Sequence, residues 1–208
     1  MKVDYGLYYV LDLPSERNPL ELARQAVAGG ASVLQLRGKH SDATELYRLA
    51  NALKPVLAPS AVPLVINDRL DVALAADADG VHVGAEDLPP EQVRAVAPHL
   101  LLGVSCYGDL ERARAAAQAG ADYVAFGSFF LSPSKPDAEI VPLSMLSEAR
   151  ALGLPVVAIG GITEENAHEV LDAGADGIAV ISAIQHSPDP EAAARVLREL
   201  VDRRQIRA

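Results

Sequence analysis

The stretch AAQAGADYVAFG, residues 116–127, decides the fold, because an alanine-rich helix end passes through one glycine into an apolar strand. The same pattern recurs as AVAGGASVLQLR at 26–37, ALAADADGVHVG at 73–84 and VLDAGADGIAVI at 170–181. Glycine after a helix relieves the steric cost of a left-handed turn, so such turns are predicted at Gly30, Gly120 and Gly174. The repeat therefore predicts four helix–strand units.

Four more apolar runs lie between these segments and predict further buried strands. They are Tyr8–Leu11, Leu64–Ile66, Leu101–Val104 and Val156–Ile159. Strands that alternate with helices indicate a parallel sheet, because parallel neighbours need crossover connections. The chain of 208 residues is therefore expected to form an α/β fold, a compact (βα)8 or TIM barrel, as one catalytic domain over residues 1–208. An open doubly wound sheet is disfavoured, since no glycine-rich phosphate loop follows the first strand.

Composition narrows the class of protein further. The net charge of −10 argues against non-specific nucleic-acid binding, which needs a basic surface. The amino-terminal MKVDYGLYYV lacks the apolar segment of a signal peptide, and no stretch is long enough to span a membrane. Cys106 is the single cysteine, so no intrachain disulfide can form, and a cytoplasmic location is expected. A homo-oligomer is compatible with the sequence.

The residues that end the second strand favour an anionic ligand. Functional residues of barrel enzymes lie at the carboxyl ends of the strands. Gln35, Arg37 and Lys39 alternate along this end, which places all three on one side. An amide and two cations there suit an anionic substrate. The alternative is an exposed loop with one polar core residue.

Carboxylates follow both the third and the fourth strand. Asn67 and Asp68 end one strand, Asp87 follows the next, and neighbouring strands lie about 5 Å apart. Two carboxylates this close repel unless a cation lies between them. Mg²⁺ suits them, because it takes one or two carboxylates together with water and substrate phosphate. Helix capping by either aspartate is the alternative, but the coincidence on neighbouring strands favours the metal.

A long connection after the sixth strand, residues 127–144, is predicted to be functional because loops of this length are uncommon in compact domains. It carries Ser132, Ser134 and Lys135, two hydroxyls and an ammonium group that suit phosphate oxygens. A flexible surface loop with one solvated lysine is the alternative.

A second phosphate site is predicted after the last two strands, where barrels often bind phosphate. Glycine at Gly160 and Gly161 lets backbone N–H groups approach an anion, and Ile181 and Ser182 begin a short helix.

Three polar residues near the fourth and fifth strands are less informative. Ser105 is either a helix cap or a ligand donor. His82 is interpreted as a hydrogen-bonded core residue, and Cys106 has no base beside it in sequence that would make it a nucleophile. The sequence shows no nucleophile–histidine–acid set. A diphosphate leaving group held by a metal and cations, with a phosphorylated acceptor opposite, would not need one, because stabilising the departing charge would supply most of the catalysis.

Blocks along nearly the whole chain resemble the thiamine-phosphate synthase family in order and spacing. They are QLRGK (35–39), INDRLDVALAADADGVHVGAEDLP (66–89), GVS (103–105), DYVAFGSFFLSPSKP (122–136), VVAIGGI (156–162) and GIAVISAI (177–184). The resemblance implies a Mg²⁺-dependent transferase on a (βα)8 barrel. Such an enzyme joins 4-amino-5-hydroxymethyl-2-methylpyrimidine diphosphate to thiazole phosphate, giving thiamine phosphate and pyrophosphate.

The resemblance also implies roles for individual residues. The pyrimidine diphosphate site would comprise Gln35, Arg37, Lys39, Asn67, Ser105 and Lys135, among which Arg37, Lys39, Ser105 and Lys135 are the expected catalytic residues. Asp68 and Asp87 would bind Mg²⁺. Gly161, Ile181 and Ser182 would form the thiazole-phosphate pocket. In the implied reaction diphosphate leaves first, and the thiazole nitrogen then attacks a pyrimidine-methyl cation.

Two blocks depart from the family pattern. Ser132-Pro133-Ser134-Lys135 stands where the family usually has Thr-x-Thr-Lys, and Ser105-Cys106-Tyr107 stands where it often has Ser-Thr-His. The first change keeps both hydroxyls, whereas the second leaves the roles of Cys106 and Tyr107 open. The competing hypotheses are a thiazole tautomerase of the same fold, another phosphate-binding barrel and a non-catalytic barrel that binds thiamine precursors.

Overall fold

A closed barrel of eight parallel strands forms the centre of the computed structural model, which describes residues 3–131 and 139–207. The strands are β1 (Leu7–Asp12), β2 (Val33–Arg37), β3 (Leu64–Asn67), β4 (Gly80–Val83), β5 (Leu101–Tyr107), β6 (Tyr123–Phe126), β7 (Val156–Ile159) and β8 (Gly177–Val180). Each strand pairs with its neighbour in sequence, and β1 pairs with β8 from Leu7 opposite Ile178 to close the barrel. The predicted (βα)8 fold is confirmed.

Helices connect the strands and pack on the outside of the barrel. They are α1 (Pro19–Ala28), α2 (Ala43–Leu57), α3 (Leu70–Ala75), α4 (Pro90–Val96), α5 (Leu110–Gln118), α6 (Ser144–Ala149), α7 (Ala167–Asp172), α8 (Ser182–Gln185) and α9 (Pro190–Arg207). Side chains of Asn18, Asp42 and Asp109 cap α1, α2 and α5 by accepting bonds from free backbone N–H groups. Within the two described ranges, no helix has the length and apolar character needed to cross a bilayer.

The turns predicted from the repeat are left-handed. Gly30, Gly120 and Gly174 have φ angles of 103°, 83° and 118°, which side chains rarely tolerate. The repeat at 73–84 has Asp77 at the same place, with φ of 49°. Aspartate is among the few residues that tolerate this conformation. All four repeats therefore leave their helix through the same type of turn.

Alternate residues of each strand face two different apolar layers. Leu7, Tyr9 and Leu11 of β1 pack in the layer between the strands and the helices. Tyr8 and Val10 belong instead to the smaller cluster inside the barrel. This period of two is a property of strand geometry. Because of this alternation, the inward-facing residues near the carboxyl ends of the strands form the floor of any cavity at that end of the barrel.

One glycine makes room for the aromatic groups inside the barrel. A Cβ atom on Gly103 would lie 2.1 Å from Tyr123 Cζ and 2.5 Å from His82 Nδ1. The backbone of Gly103 is not among the residues with positive φ, so sterics alone would oppose a larger residue there. Gly103 therefore allows Tyr123 and His82 to meet across β5.

We expect Gly103→Ala to lower the free energy of unfolding by about 3 kcal/mol, because the added methyl group overpacks a buried cluster. Urea denaturation measures this. Gly153→Ala is the matched control, since no atom lies within 4 Å of its Cβ position and only its φ of 72° opposes alanine. That control should lose about 1 kcal/mol. Equal losses in both variants would contradict the packing explanation.

Candidate active site

A cavity of about 730 Å³ opens at the carboxyl ends of the strands and is lined by side chains from all eight of them. Five residues predicted for the site lie in its wall, namely Gln35, Arg37, Asn67, Ser105 and Ile181. A cavity of this size holds a small organic molecule. The prediction that the site lies at this end of the barrel agrees with the cavity.

The floor of the cavity is a chain of hydrogen bonds between side chains of five strands. Gln35 Nε2 donates to the Tyr8 hydroxyl at 2.8 Å, and that hydroxyl lies 2.7 Å from the hydroxyl of Tyr123. The Tyr123 hydroxyl lies 2.9 Å from His82 Nδ1, and His82 Nε2 lies 2.8 Å from Ser105 Oγ. Burial lowers the pKa of His82 to about 4, although the charge of Asp87 opposes the shift. His82 is therefore neutral at physiological pH.

Cations lie on the rim above this floor. Arg37 Nη1 donates to Asp12 Oδ1 at 2.5 Å, and about a fifth of each side chain is exposed (21% and 23%). Lys39 follows in the exposed loop after β2. Both cations act on Asp68, because each lowers the pKa of that carboxyl group. Arg37 and Lys39 therefore lie on the side of the cavity where the carboxylates are.

Asp68 and Asp87 come together at the ends of β3 and β4, as expected from their neighbouring strands. The two carboxyl groups are close enough for Asp87 to raise the pKa of Asp68. Asp68 is held in the left-handed region, with φ of 62°, and its N–H donates to the His82 carbonyl at 2.8 Å. The Gly84 N–H donates to Asp87 Oδ2 at 2.7 Å. The alternative of helix capping is not seen, because α3 and α4 begin after Arg69 and Pro89.

The carboxylate pair is electrostatically unfavourable without a cation. Burial is the largest cause that raises the pKa of Asp68, to about 6, followed by its hydrogen bond to Asp87 and the charge of Asp87. Two close carboxyl groups that compete for one proton are a suitable place for a divalent cation. Among residues 3–131 and 139–207, no cluster of three or more metal-ligating side chains is present. Mg²⁺ fits this donor set, because it keeps waters and takes phosphate oxygens in its remaining positions.

The loops after β7 and β8 contain the other predicted phosphate residues. Gly160 and Gly161 have positive φ of 104° and 66°. Their carbonyl oxygens accept bonds from Phe130 N–H and Asn166 Nδ2, each at 3.0 Å. Ile181 lies in the cavity wall, and Ser182 is the first residue of α8.

Three predicted residues, Ser132, Ser134 and Lys135, lie outside the described residues. The structure describes the residues on both sides of this segment. Ser128, Glu139 and Val141 line the cavity, and Val141 N–H donates to the Ser128 carbonyl at 2.8 Å. The two described ends of the connection between β6 and α6 therefore form part of the cavity wall.

The structure adds to one interpretation of the sequence and corrects another. His82 is a hydrogen-bonded core residue as expected, but it also lines the cavity. Ser105, Cys106 and Tyr107 were expected after the fifth strand, yet they are its last residues. The register with β6 shifts between Ser105 and Tyr107, which extends β5 past the predicted end. A strand irregularity of this kind has no strong signal in a single sequence.

Sequence reasoning missed two residues of the floor, Tyr8 and Tyr123. Both belong to predicted apolar runs, where a tyrosine is indistinguishable from any other core residue. The available signal was the period of two, because Tyr8 and Gln35 each lie on the inward face of adjacent strands, with Val10 opposite Gln35. That pattern places Tyr8 next to Gln35, but it does not predict a bond between them.

Fold and site together define a class of protein, a (βα)8-barrel enzyme that acts on small molecules. Cations, a carboxylate pair and a polar-floored cavity meet at the end of the barrel where such enzymes carry their active sites. The family model described as thiamine monophosphate synthase matches residues 7–184. The chain belongs to this family.

Individual relatives agree along nearly the whole chain. The thiamine-phosphate synthase of Roseiflexus castenholzii is 47% identical over 205 residues, which covers 96% of this chain and 90% of that protein. The thiamine-phosphate synthase of Bordetella avium is 50% identical over 198 residues, covering 91% and 92%.

Two solved structures are similar to this chain, one of them a thiamine phosphate pyrophosphorylase. The thiamine phosphate pyrophosphorylase of Pyrococcus furiosus superposes with a TM-score of 0.90 and 39% identity, and the match covers 98% of both chains. The 3-keto-L-gulonate-6-phosphate decarboxylase of Vibrio cholerae is 17% identical with a TM-score of 0.74, covering 96% and 98%. At that identity the similarity shows a shared fold alone.

Proposed function

We propose that the protein is a transferase that joins 4-amino-5-hydroxymethyl-2-methylpyrimidine diphosphate to thiazole phosphate, releasing pyrophosphate and forming thiamine phosphate. The observation that carries the proposal is the paired carboxyl groups of Asp68 and Asp87 beside Arg37, above a cavity of suitable size. Cations and paired carboxylates at one rim suit a diphosphate, and the names of the relatives at 47% and 50% identity agree with this chemistry.

Mg²⁺ would be held by Asp68 and Asp87 and would neutralise the charge that develops on the departing diphosphate. The chain itself orients these ligands. The Gly84 N–H fixes one oxygen of Asp87, and the Asp68 N–H holds the backbone of that residue by donating to the His82 carbonyl. The raised pKa of Asp68 supports the assignment, because burial and the neighbouring Asp87 both disfavour the charged carboxylate that a cation would stabilise.

The pyrimidine diphosphate would lie along β2, β3 and β5. Arg37 and Lys39, with Lys135 from the long connection, would bind diphosphate oxygens, while Gln35, Asn67 and Ser105 would contact the pyrimidine side. Stabilising the departing charge with fixed cations would supply most of the catalysis. The neutral His82 agrees with catalysis by stabilising the departing charge. No side chain of the cavity floor then carries a positive charge that would repel a cationic pyrimidine.

The thiazole phosphate would bind at the opposite wall. Gly161, Ile181 and Ser182 would hold its phosphate, with Ser132 and Ser134 contributing hydroxyls. The glycine carbonyls are already engaged by Phe130 and Asn166. This suits a loop that binds an anion through its N–H groups.

Purified protein mixed with both phosphorylated substrates and Mg²⁺ tests the proposal. Thiamine phosphate and pyrophosphate should form in equal amounts, and EDTA should stop the reaction. Conversion of a thiazole carboxylate phosphate tautomer without a condensation product would support the tautomerase instead. Binding of both substrates without turnover would support a non-catalytic precursor-binding barrel.

Gly161→Ala is expected to raise the KM for thiazole phosphate at least about tenfold, because a Cβ there would lie 2.4 Å from the Leu131 carbonyl oxygen and would displace the loop. Steady-state kinetics with the pyrimidine diphosphate held at saturation measures this. The KM for the pyrimidine diphosphate should stay within about twofold, since the two substrates contact opposite walls. Equal increases in both KM values would contradict a separate thiazole-phosphate pocket.

The domain organisation, the cellular location and the oligomeric state expected from the sequence are also proposed. Residues 1–208 would act as one catalytic domain in the cytoplasm, and the active form would be a monomer or a homo-oligomer. Size-exclusion chromatography with light scattering decides the oligomeric state.

A further inference from the structure

A single turn of helix carries two of the residues assigned to the thiazole phosphate, Ile181 and Ser182. α8 has four residues, and Ile181 before it has an unusual backbone conformation, with φ of −113° and ψ of −82°. One turn of helix is not stable by itself, because its few hydrogen bonds do not offset the entropy lost in forming it. The position of Ile181 and Ser182 must therefore be set by contacts with the rest of the barrel.

The end of β1 is a fixed neighbour of this turn. On one edge, β1 pairs with β2 as far as Asp12 opposite Arg37, and the Leu13 N–H donates to the Arg37 carbonyl at 2.8 Å. On the other edge, pairing with β8 ends at Tyr9 opposite Val180. Beyond Tyr9, the described part of the chain therefore gives β1 no strand partner on the β8 side.

The amide of Gln185, the last residue of α8, takes the place of that partner. Its Oε1 accepts a bond from the Asp12 N–H at 3.0 Å, and its Nε2 donates to the Asp12 carbonyl at 2.9 Å. A main-chain N–H can only donate and a carbonyl oxygen can only accept, so one orientation of the amide satisfies both groups. Gln185 is 5% exposed, which leaves little room for water to replace either bond.

The same residue also holds the turn from within. The Gln185 N–H donates to the Ile181 carbonyl at 2.9 Å. Ile181 lines the cavity, whereas Gln185 is not among the described residues that line it. Gln185 therefore joins Ile181 to the end of β1 from outside the cavity.

We propose that Gln185 is a positioning residue that fixes Ile181 and Ser182 against the end of β1, and thereby sets where the thiazole phosphate is held relative to the pyrimidine diphosphate. The inference rests on the proposed function, to which it adds a residue outside the cavity. Because β1 is paired with β2, the reference for the thiazole phosphate is the wall that would hold the diphosphate. A displacement of about 1 Å between reacting groups can cost about 100-fold in rate.

Gln185→Met tests the proposal, because methionine has nearly the same length and volume but makes neither bond to Asp12. We expect kcat to fall about tenfold and the KM for thiazole phosphate to rise about tenfold, while the KM for the pyrimidine diphosphate stays within about twofold. Steady-state kinetics with each substrate varied in turn measures the three values. Wild-type kinetics in a variant with a lowered Tm would show a purely structural role and would overturn the proposal.

Tyr9→Phe is the matched control. The Tyr9 hydroxyl donates to the same Gln185 Oε1 at 3.4 Å, so its removal leaves both bonds to Asp12 in place. This variant should keep the wild-type kinetics, and losses equal to those of Gln185→Met would contradict the role of the bonds to Asp12.

A second variant covers the case in which Gln185→Met does not fold. Gln185→Asn keeps the amide but is one methylene group shorter, so it cannot make both bonds and should show the same kinetic changes. The chain after α8 stays attached in both variants, because Arg17 Nη1 donates to the Ser187 carbonyl at 2.7 Å.

Calorimetric titration with thiazole phosphate separates this inference from the proposed function. The wild type should bind thiazole phosphate about tenfold more tightly than Gln185→Met. If the wild type binds it but forms no thiamine phosphate, the proposed function fails, and the difference in affinity still tests the positioning role. Equal affinities in the two proteins, or no binding to the wild type, would overturn that role.

Discussion

Asp68→Asn is expected to lower Mg²⁺-dependent turnover at least about 100-fold, since it removes one of the two carboxylates assigned to the metal. The substitution suits the backbone, because asparagine tolerates the left-handed φ of 62° at this position. Turnover measured against Mg²⁺ concentration checks this. Near-native activity at low Mg²⁺ would show that Asp68 is not a metal ligand.

The same variant is expected to be more stable than the wild type in EDTA at pH 8. Burial and the neighbouring Asp87 raise the pKa of Asp68 from 3.8 to about 6, so the folded state holds its proton more tightly than the unfolded state. Stability is consequently lost as the pH rises from about 4 to 6. Because the group is half exposed, we expect a gain of about 1 kcal/mol at pH 8 and almost none below pH 4.

Urea denaturation at the two pH values measures this gain, and thermal denaturation with and without Mg²⁺ completes the test. Mg²⁺ should raise the Tm of the wild type but not that of Asp68→Asn. Asp71→Asn is the matched control, because Asp71 is an exposed carboxylate paired with Arg69 near the same strand end. It should keep both the activity and the Mg²⁺ response. A stabilised variant that still responds to Mg²⁺ would place the cation elsewhere.

Arg37→Gln is expected to lower kcat/KM for the pyrimidine diphosphate about 100-fold, because a fixed cation at the rim would stabilise the departing charge. The effect should fall on this substrate and spare thiazole phosphate. Steady-state kinetics with each substrate varied in turn measures the two effects separately.

Asp12→Asn separates this role from a structural one. Arg37 is ion-paired with Asp12, so a purely structural pair would lose function equally from either side. If Arg37 binds diphosphate, Asp12→Asn keeps the cation and should change kcat/KM less than about threefold, since partly exposed ion pairs contribute little stability. Matching losses in the two variants would contradict direct binding by Arg37.

Much of the fold could be predicted because its signals are local. The helix–turn–strand repeat gave four strands and the apolar runs between its copies gave the other four, and the left-handed glycines at 30, 120 and 174 have their predicted conformation. Parallel strands in chain order also fix which strand ends are neighbours. For that reason Asp68 and Asp87 could be paired in advance, although the two residues follow different strands.

The cavity floor could not be predicted in the same way. Tyr8 and Tyr123 are separated by 115 positions in the chain, and each reads as an ordinary core residue of its strand. Their hydroxyls meet because the barrel closes and because Gly103 places no side chain beside Tyr123 on the inner face of β5. Neither condition has a local signal, since a strand's own sequence specifies which face is buried and not what lies opposite.

Sequence by itself therefore determined the barrel, its single active end and the residue types that gather there, because periodicity and turn chemistry are encoded within each repeat. Tertiary structure alone decided the raised pKa of Asp68, the lowered pKa of His82 and which side chains meet in hydrogen bonds between Gln35 and Ser105. These properties depend on distance and burial across the closed barrel. They arise only when strands far apart in the chain exclude water from the same small volume.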